Sequence, residues 1–492
     1  MTGMERVRVL VVGAGLSGIC AAVKLREAGI HDFVVLDRAG EVGGTWRDNT
    51  YPGCACDVPS ALYSFTFEQK TDWSRFYAGQ PEIRAYAHTV AERHGVVGHL
   101  RLGVDVEEAR WDEDAQRWRV RTSAGEYEAH TLIAATGPWH EPVYPDLPGI
   151  ASFEGAAFHS SRWDHGHDLR GRRVAVIGSG ASAVQFVPEI QPEVERLHLF
   201  QRTPHWVLPK LDRPLTRAEL RLFERFPAAQ RALRHLIYNL SELFGHGTRR
   251  EGAMRRLQRI GERHLERQVP DPELRGLLTP RYTLGCKRTL FSNDYYPSLA
   301  RPNVEVVPAA VTEVRPRSVV GADGVEREVD TIVFGTGFRL LDMPIAELLR
   351  GADGRTMAEV WQGSPRGYLG TTVAGFPNAF ILLGPNLGNG HSSATVTMEA
   401  QAGYVVDALR TMERRGLGSV DVRPDVQDEF NARVDERLAG SVWNAGGCAS
   451  YYLDGNGRNS FMYPWSTVHY RRRTRRFDVE SYVSRPAVTA LA

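Results

Sequence analysis

Lysine is almost missing: Lys24, Lys70, Lys210 and Lys287 stand against 56 arginines in 492 residues. Arginine is therefore the default cation of this chain, and one arginine on its own carries little information. Cysteine is scarce too. Five residues (Cys20, Cys54, Cys56, Cys286 and Cys448) are too few for a disulfide framework and odd in number, so free thiols in a reducing compartment are expected. No apolar run approaches the ~18 residues of a membrane span, and the apolar start VRVLVVGAGLSGICAAVKL carries glycines spaced for a folded turn rather than a secretory signal. A cytoplasmic location without membrane insertion is expected. A surplus of either charge is lacking as well: a net charge of +1 leaves no field to recruit a nucleic acid. Neither the basic run HYRRRTRRFD (469–478) nor the segment 211–280 interleaves aromatics in the manner of a nucleic-acid binder. No metal-ligand spacing is visible.

What is present begins with length and core supply: 42% apolar residues over this length imply two to four domains. Residues 7–12, VRVLVV, form the valine-rich run of a parallel strand buried on both faces. GAGLSG follows at once, with Gly13, Gly15 and Gly18. In such a turn the first glycine permits the tight bend, the second lets a pyrophosphate approach the backbone, and the third lets the helix pack on the strand. The phosphates then meet the helix N-terminus. Asp37 closes the next strand 19 residues after Gly18, where a carboxylate accepts hydrogen bonds from a ribose 2′-hydroxyl. This site suits an unphosphorylated dinucleotide such as FAD or NAD.

Residues 172–183, RRVAVIGSGASA, repeat the arrangement with Gly178, Gly180 and Ala183. The following strand, RLHLFQR, ends in Arg202, which stands 24 residues after Gly178 as Asp37 stands 24 after Gly13. An acid there would repel a phosphorylated ribose, whereas a guanidinium forms charge-assisted, bidentate hydrogen bonds with a 2′-phosphate. Thr203 adds a hydroxyl. The second site is therefore expected to take NADPH, and the first FAD, since a flavin that accepts hydride gives the pair a redox purpose. TLIAATG (131–137) and TIVFGTGF (331–338) read as the return strands of the two units. A disulfide as electron acceptor fits poorly. Cys54 and Cys56 in YPGCACD form a C-x-C, an awkward spacing for an intrachain bridge, and read as small residues of a loop.

Between the two turns, FEGAAFHSSRWD (153–164) places Phe153, Gly155, His159, Trp163 and Asp164 in the pattern F-x-G-x-x-x-H-x-x-x-W-D. This resembles the fingerprint of type I Baeyer-Villiger monooxygenases, of the class B flavoprotein monooxygenases; flavin-containing monooxygenases usually end the pattern differently. The resemblance covers nearly the whole chain. EVGGTWRDNTYPGCACDVPSALYSF (41–65) is similar to the flavin-contact segment, which assigns Thr45, Trp46, Asp57 and Tyr63 to the flavin, with Val106 in the same set. For NADPH the resemblance implies Ser179, Ser182 and Gln185 beside the glycines, and Lys287 with Arg202 and Thr203 at the 2′-phosphate. GCKRTLFSNDYY (285–296) resembles the segment bearing the active-site arginine, which becomes Arg288.

The resemblance implies that reduced flavin and O2 form a flavin peroxide, that Arg288 stabilises this anion and the adduct made by attack on a ketone, and that Asp57 orients the arginine. It places His159 away from the chemistry, linked to interdomain movement. GCASYYLDGNGRN (447–459) resembles a mobile loop that commonly sets a tryptophan over the cofactor, but Tyr451 stands there. His391 in GPNLGNGHSS (384–393) reads as a cap or packing residue.

The implied fold is α/β, with two Rossmann-like dinucleotide-binding domains, the second inserted in the first. The FAD-binding domain takes 1–145 and 339–492, the NADP-binding domain 146–210 and 281–338, and 211–280 is a helical insertion. There Thr216 and Glu219 make a capping box, and Leu233, Leu236, Ile237, Leu240 and Phe244 form an apolar stripe expected to pack on a nucleotide domain. The implied reaction is NADPH- and O2-dependent insertion of one oxygen atom beside a ketone carbonyl, giving an ester or lactone. The alternative is oxygenation of nitrogen or sulfur. The identity of the ketone and the oligomeric state are open.

Overall fold

A computed structural model describes residues 4–248 and 251–488. Its apolar strands build two large sheets, the first mixed and the second parallel. In the first, Glu5–Val12 lies between Phe33–Asp37 and Gly125–Ala134, all parallel, with Leu100–Leu102 at the outer edge. Phe33–Asp37 is buried at every position, as an unbroken apolar run requires. The far edge of Gly125–Ala134 is shared. Its first half turns antiparallel onto Arg117–Thr122, which pairs with Val106–Asp112, while its last residues pair with Ala379–Ile381.

The second sheet has five parallel strands in the order Val304–Val307, Arg196–Phe200, Arg173–Ile177, Thr331–Phe334 and Ala156–His159. The chain thus leaves the first sheet, completes the second, and returns first with Leu349–Arg350, which pairs with Val106–Asp112, and then with Ala379–Ile381. This is the expected α/β architecture of two Rossmann-like units, one set inside the other.

The two glycine turns are built alike. Gly13 (φ +109°) donates its N–H to Leu36 O at 2.7 Å, and Gly178 (φ +105°) donates to Phe200 O at 2.9 Å. Each turn is therefore hooked to the end of the neighbouring strand in a conformation that side-chain-bearing residues rarely adopt. A Cβ on Gly18 would lie 1.8 Å from Gly13 O, so the helix Leu16–Glu27 sits on the turn with no room for a methyl.

The segment 211–280 contains four helices among the described residues, Arg217–Arg225, Pro227–Thr248, Glu251–Gln268 and Pro272–Leu278. Thr216 and Glu219 form the reciprocal cap. The apolar stripe does not pack as expected. Leu233, Ile237 and Phe244 are half-buried, but Leu236 and Leu240 are each 56% exposed. The face that docks is polar instead: Gln230, Arg234, Tyr238 and Glu242. Arg234 Nη1 donates to the carbonyls of Ala61, Leu62 and Ser64 at 2.8 to 2.9 Å, and Tyr238 OH meets Thr467 Oγ1 at 2.9 Å. A loop with free carbonyls attracts a multidentate donor more strongly than an apolar side chain.

The expectation of five free thiols also fails. Cys286 and Cys448 are joined across 162 residues, with Cα atoms 6.2 Å apart, while Cys20, Cys54 and Cys56 are free and buried. A count of cysteines cannot reveal this pair, because tertiary packing alone brings the two segments together. Thr283 N–H donates to Gly446 O at 2.9 Å, and Cys286 belongs to a small separate core with Trp206, Met254, Val442, Trp443 and Tyr452.

Gly18→Ala is expected to destabilise the chain by roughly 1–3 kcal/mol, as overpacking does, and to lower flavin retention. Thermal melting with and without added FAD, with flavin absorbance of the purified protein, checks both.

Candidate active site

The first turn opens on a cavity lined by Gly13, Gly15, Asp37, Thr45, Trp46, Tyr63 and Val106. Asp37 is fixed from three sides. Its Oδ2 accepts from Ala14 N–H at 2.7 Å, and its Oδ1 accepts from Ala39 N–H at 2.9 Å and from Arg47 Nη1 at 3.2 Å. Trp46 Nε1 donates to Tyr63 OH at 3.0 Å, which sets the two rings edge to face at the cavity wall. Gly18 lies behind the turn and Asp57 outside this cavity. The sequence reading missed Arg38, Arg47, Thr136, Leu383 and Met398, which also line it. Arg47 was legible as the neighbour of Trp46, whereas Leu383 and Met398 arrive only through the return to the first sheet.

At the second turn, Gly180 faces open space and Ser179 is buried at the bend. Ser182 lies near the Tyr51 hydroxyl, whose ionisation burial opposes. Gln185 is turned towards the loop 51–57. Its Oε1 accepts from Tyr51 OH at 3.0 Å and from Ala55 N–H at 3.3 Å, and its Nε2 donates to Ala55 O at 3.0 Å. It therefore ties the second unit to the loop 51–57.

Arg202 is exposed and has no acidic partner among the described residues. Leu290–Phe291 pairs in parallel with Val207–Leu208, three residues after Lys287 and five after Arg202, and the two charges are near enough to act on each other. Burial, reinforced by the Arg202 charge, lowers the Lys287 pKa. Two cations gathered without an acid, next to an open glycine turn, have the donor chemistry of a site for a phosphate monoester.

Between the units, Asp57 gathers groups from three segments. Its Oδ2 lies 3.5 Å from Arg288 Nη2, and its Oδ1 lies 4.0 Å from Lys210 Nζ and 3.4 Å from Gln185 Nε2. Arg288 is half-buried, with 41% of its side-chain surface accessible. Burial opposes its charge, but Asp57 and the nearby Tyr451 and Tyr452 outweigh this and raise its pKa, so the guanidinium stays cationic. Tyr451 packs edge to face on Tyr452, with ring centroids 4.6 Å apart.

The remaining candidates take structural positions. His159 is fully buried. Its Nδ1 accepts from Ser161 N–H at 3.1 Å, and burial holds its pKa at about 4, neutral at pH 7. Asp164 Oδ1 accepts from Gly166 N–H in a turn, and Trp163 packs on Phe158 and Phe186. Burial pushes the Cys54 and Cys56 thiols up to about 12, so neither is a thiolate at neutral pH and the loop offers no dithiol chemistry. His391 lies against Glu242, 3.3 Å away, and under Gly245 as a packing residue. Among the described residues no cluster suited to a metal ion occurs, and no helix is long and apolar enough to cross a membrane.

Residues 10–220 match a family described as pyridine nucleotide-disulphide oxidoreductase. The chain is 50% identical over 486 residues to a Baeyer-Villiger monooxygenase of Streptomyces coelicolor, covering 98% of this chain and 94% of that protein. The chain belongs to the Baeyer-Villiger monooxygenases. A second member of the family, from Pseudomonas aeruginosa, is 45% identical over 96% of this chain and 91% of its own length. Among solved structures, cyclohexanone monooxygenase from Rhodococcus sp. Phi1 bound to NADP+ superposes with a TM-score of 0.87 at 28% identity, covering 99% of this chain and 100% of that one. An oxidized steroid monooxygenase bound to NADP superposes at 0.88 with 29% identity, covering 98% and 100%. The fingerprint of a Baeyer-Villiger monooxygenase at 153–164 is thus carried by a chain whose whole length fits the family.

Arg202→Ala is expected to raise the Michaelis constant for NADPH about 10- to 100-fold, the range of a lost charge-assisted hydrogen bond, and to leave that for NADH nearly unchanged. Steady-state kinetics with both nucleotides read this directly. Acid should unfold the protein partly through His159. Its folded pKa of about 4 lies below an unfolded value of about 6.5, so the stability linked to it is complete above pH 6.5 and is lost as pH falls towards 4. His159→Gln should flatten the melting temperature profile across that window.

Proposed function

We propose that this Baeyer-Villiger monooxygenase uses FAD, NADPH and O2 to insert one oxygen atom next to the carbonyl of a small ketone, releasing an ester or lactone and water. The observation that carries the reading is the Arg288–Asp57 pair at 3.5 Å, in which Arg288 stays half-exposed and Asp57 is also met by Gln185 from the second unit. The FAD site fits its group: an open glycine turn for the pyrophosphate, a fixed Asp37 carboxylate for ribose hydroxyls, and a cavity walled by Thr45, Trp46, Tyr63 and Val106. The NADPH site fits through Gly178, Gly180, Arg202, Thr203 and Lys287. Bound flavin supplies acceptance of hydride from NADPH and activation of O2 towards the ketone.

The protein's share is electrostatic. Arg288 is a permanent cation that donates only, so it stabilises negative charge building on the carbonyl oxygen as the carbonyl carbon is attacked, and it cannot quench that charge by giving up its proton. Asp57 aims the guanidinium and offsets the cost of embedding it, and Gln185 and Lys210 hold Asp57 in turn. A proton donor poised in the cleft would suit oxygenation of nitrogen or sulfur. Cys54, Cys56 and Tyr63 have pKa values raised far above neutrality, and Arg288 donates without losing its proton, so attack by an anionic oxygen on a carbonyl is favoured.

Arg288→Ala should lower ester formation by roughly 10²–10³-fold, as loss of an oxyanion donor does, while NADPH oxidation continues and ends in hydrogen peroxide. Product analysis by gas chromatography against a panel of cyclic and linear ketones, with peroxide assayed in parallel, tests it. Ester formation at the parental rate in this variant would remove Arg288 from the mechanism, and absence of ester from every ketone would overturn the reaction itself.

A further inference from the structure

Cys286 directly precedes Lys287 and Arg288, and Cys448 comes three residues before Tyr451. The bond between them joins the segment that carries both cations to the loop that carries the tyrosines. Backbone contact reinforces it: a Cβ on Gly446 would lie 2.6 Å from Cys286 Cβ, and Thr283 N–H donates to Gly446 O. On its other side the segment is pinned by Leu290 N–H, which donates to Trp206 O at 3.0 Å. Residues 286–290 are therefore suspended between two anchors, one covalent and one a short strand ladder.

A restraint is needed there. Lys287 and Arg202 are like charges brought together with no acid between them, and without a bound anion they repel. The ladder Val207–Leu208 with Leu290–Phe291 is only two residues long on each strand and fixes one end. We propose that the Cys286–Cys448 cross-link is a positioning element: it holds Lys287 beside Arg202 as a ready-made site for a ribose 2′-phosphate, and it fixes Arg288 relative to Tyr451. The inference rests on the reading of Arg202 and Lys287 given above.

Cys286 is fully buried, but Cys448 is partly exposed between exposed Gly447 and Ala449, so a small dithiol can reach the bond from that side. Reduction moves two electrons and two protons from the dithiol to the cysteines. The S–S bond becomes two thiols and the dithiol closes into its own disulfide.

The test uses the full-length, FAD-loaded protein and needs no turnover. Thiols counted after denaturation should number three before dithiothreitol treatment and five after it. NADP+ and NAD+ are titrated by the change in flavin absorbance in the native protein, after reduction, and after reoxidation with diamide. Reduction should weaken NADP+ about three- to tenfold, a partial loss of charge-assisted bonding, change NAD+ less than about twofold, and be reversed by reoxidation. Cys448→Ser should show the same split untreated, and the reversible treatment covers the case in which that variant fails to fold. Five thiols in untreated protein, or equal NADP+ affinity in the two redox states, overturns the proposal. An oxidised protein that binds NADP+ and NAD+ equally would instead sink the 2′-phosphate reading, and failure to form ester touches neither titration.

Discussion

The geometry of this enzyme turns on one carboxylate. Asp57 sits on the loop 51–57, yet its oxygens are claimed by Gln185 from the helix of the second unit, by Lys210 ahead of the helical segment, and by Arg288 from the loop just before the strand Leu290–Phe291. None of these partners lies near it in sequence. An ion pair among surface residues would be worth little. Here the carboxylate is nine-tenths buried, so its three partners take the place of water around it, and removing any one of them leaves a buried polar group short of a contact. Moving one unit against the other must change several of these contacts together, which makes the cluster a register mark for how the two units are set.

Much of the fold was legible because its signals are local. A glycine turn between an apolar strand and a helix announces itself over a dozen residues, and Asp37 and Arg202 stand at equal offsets from their turns, an acid in one and a cation in the other. The hooking of Gly13 to Leu36 and of Gly178 to Phe200 is the physical content of that pattern. The family fingerprint lay in sequence for the same reason, although its histidine and aspartate are employed in packing and turn formation.

What was not legible depends on distant segments. Composition could not show that Cys286 meets Cys448, nor could helical periodicity show that Pro227–Thr248 docks through Gln230, Arg234, Tyr238 and Glu242. In the latter case periodicity finds the apolar stripe but says nothing about what the partner surface offers. The loop 61–64 offers carbonyl oxygens, and an arginine satisfies three of them at once. Leu383 and Met398 escaped notice at the flavin cavity because they reach it only after the chain has completed the second sheet.

The cross-link has a consequence for the unfolded chain. Between Cys286 and Cys448 lie Thr331–Phe334, an inner strand of the second sheet, and Ala379–Ile381, the closing strand of the first. With the bond intact, these strands, together with Val304–Val307 of the second sheet and Leu349–Arg350 of the first, belong to a single covalent ring, and the denatured ensemble loses the many conformations in which they drift far apart. The ring leashes the two Rossmann units to each other even when both have melted, so refolding of either starts with a strand of the other close at hand.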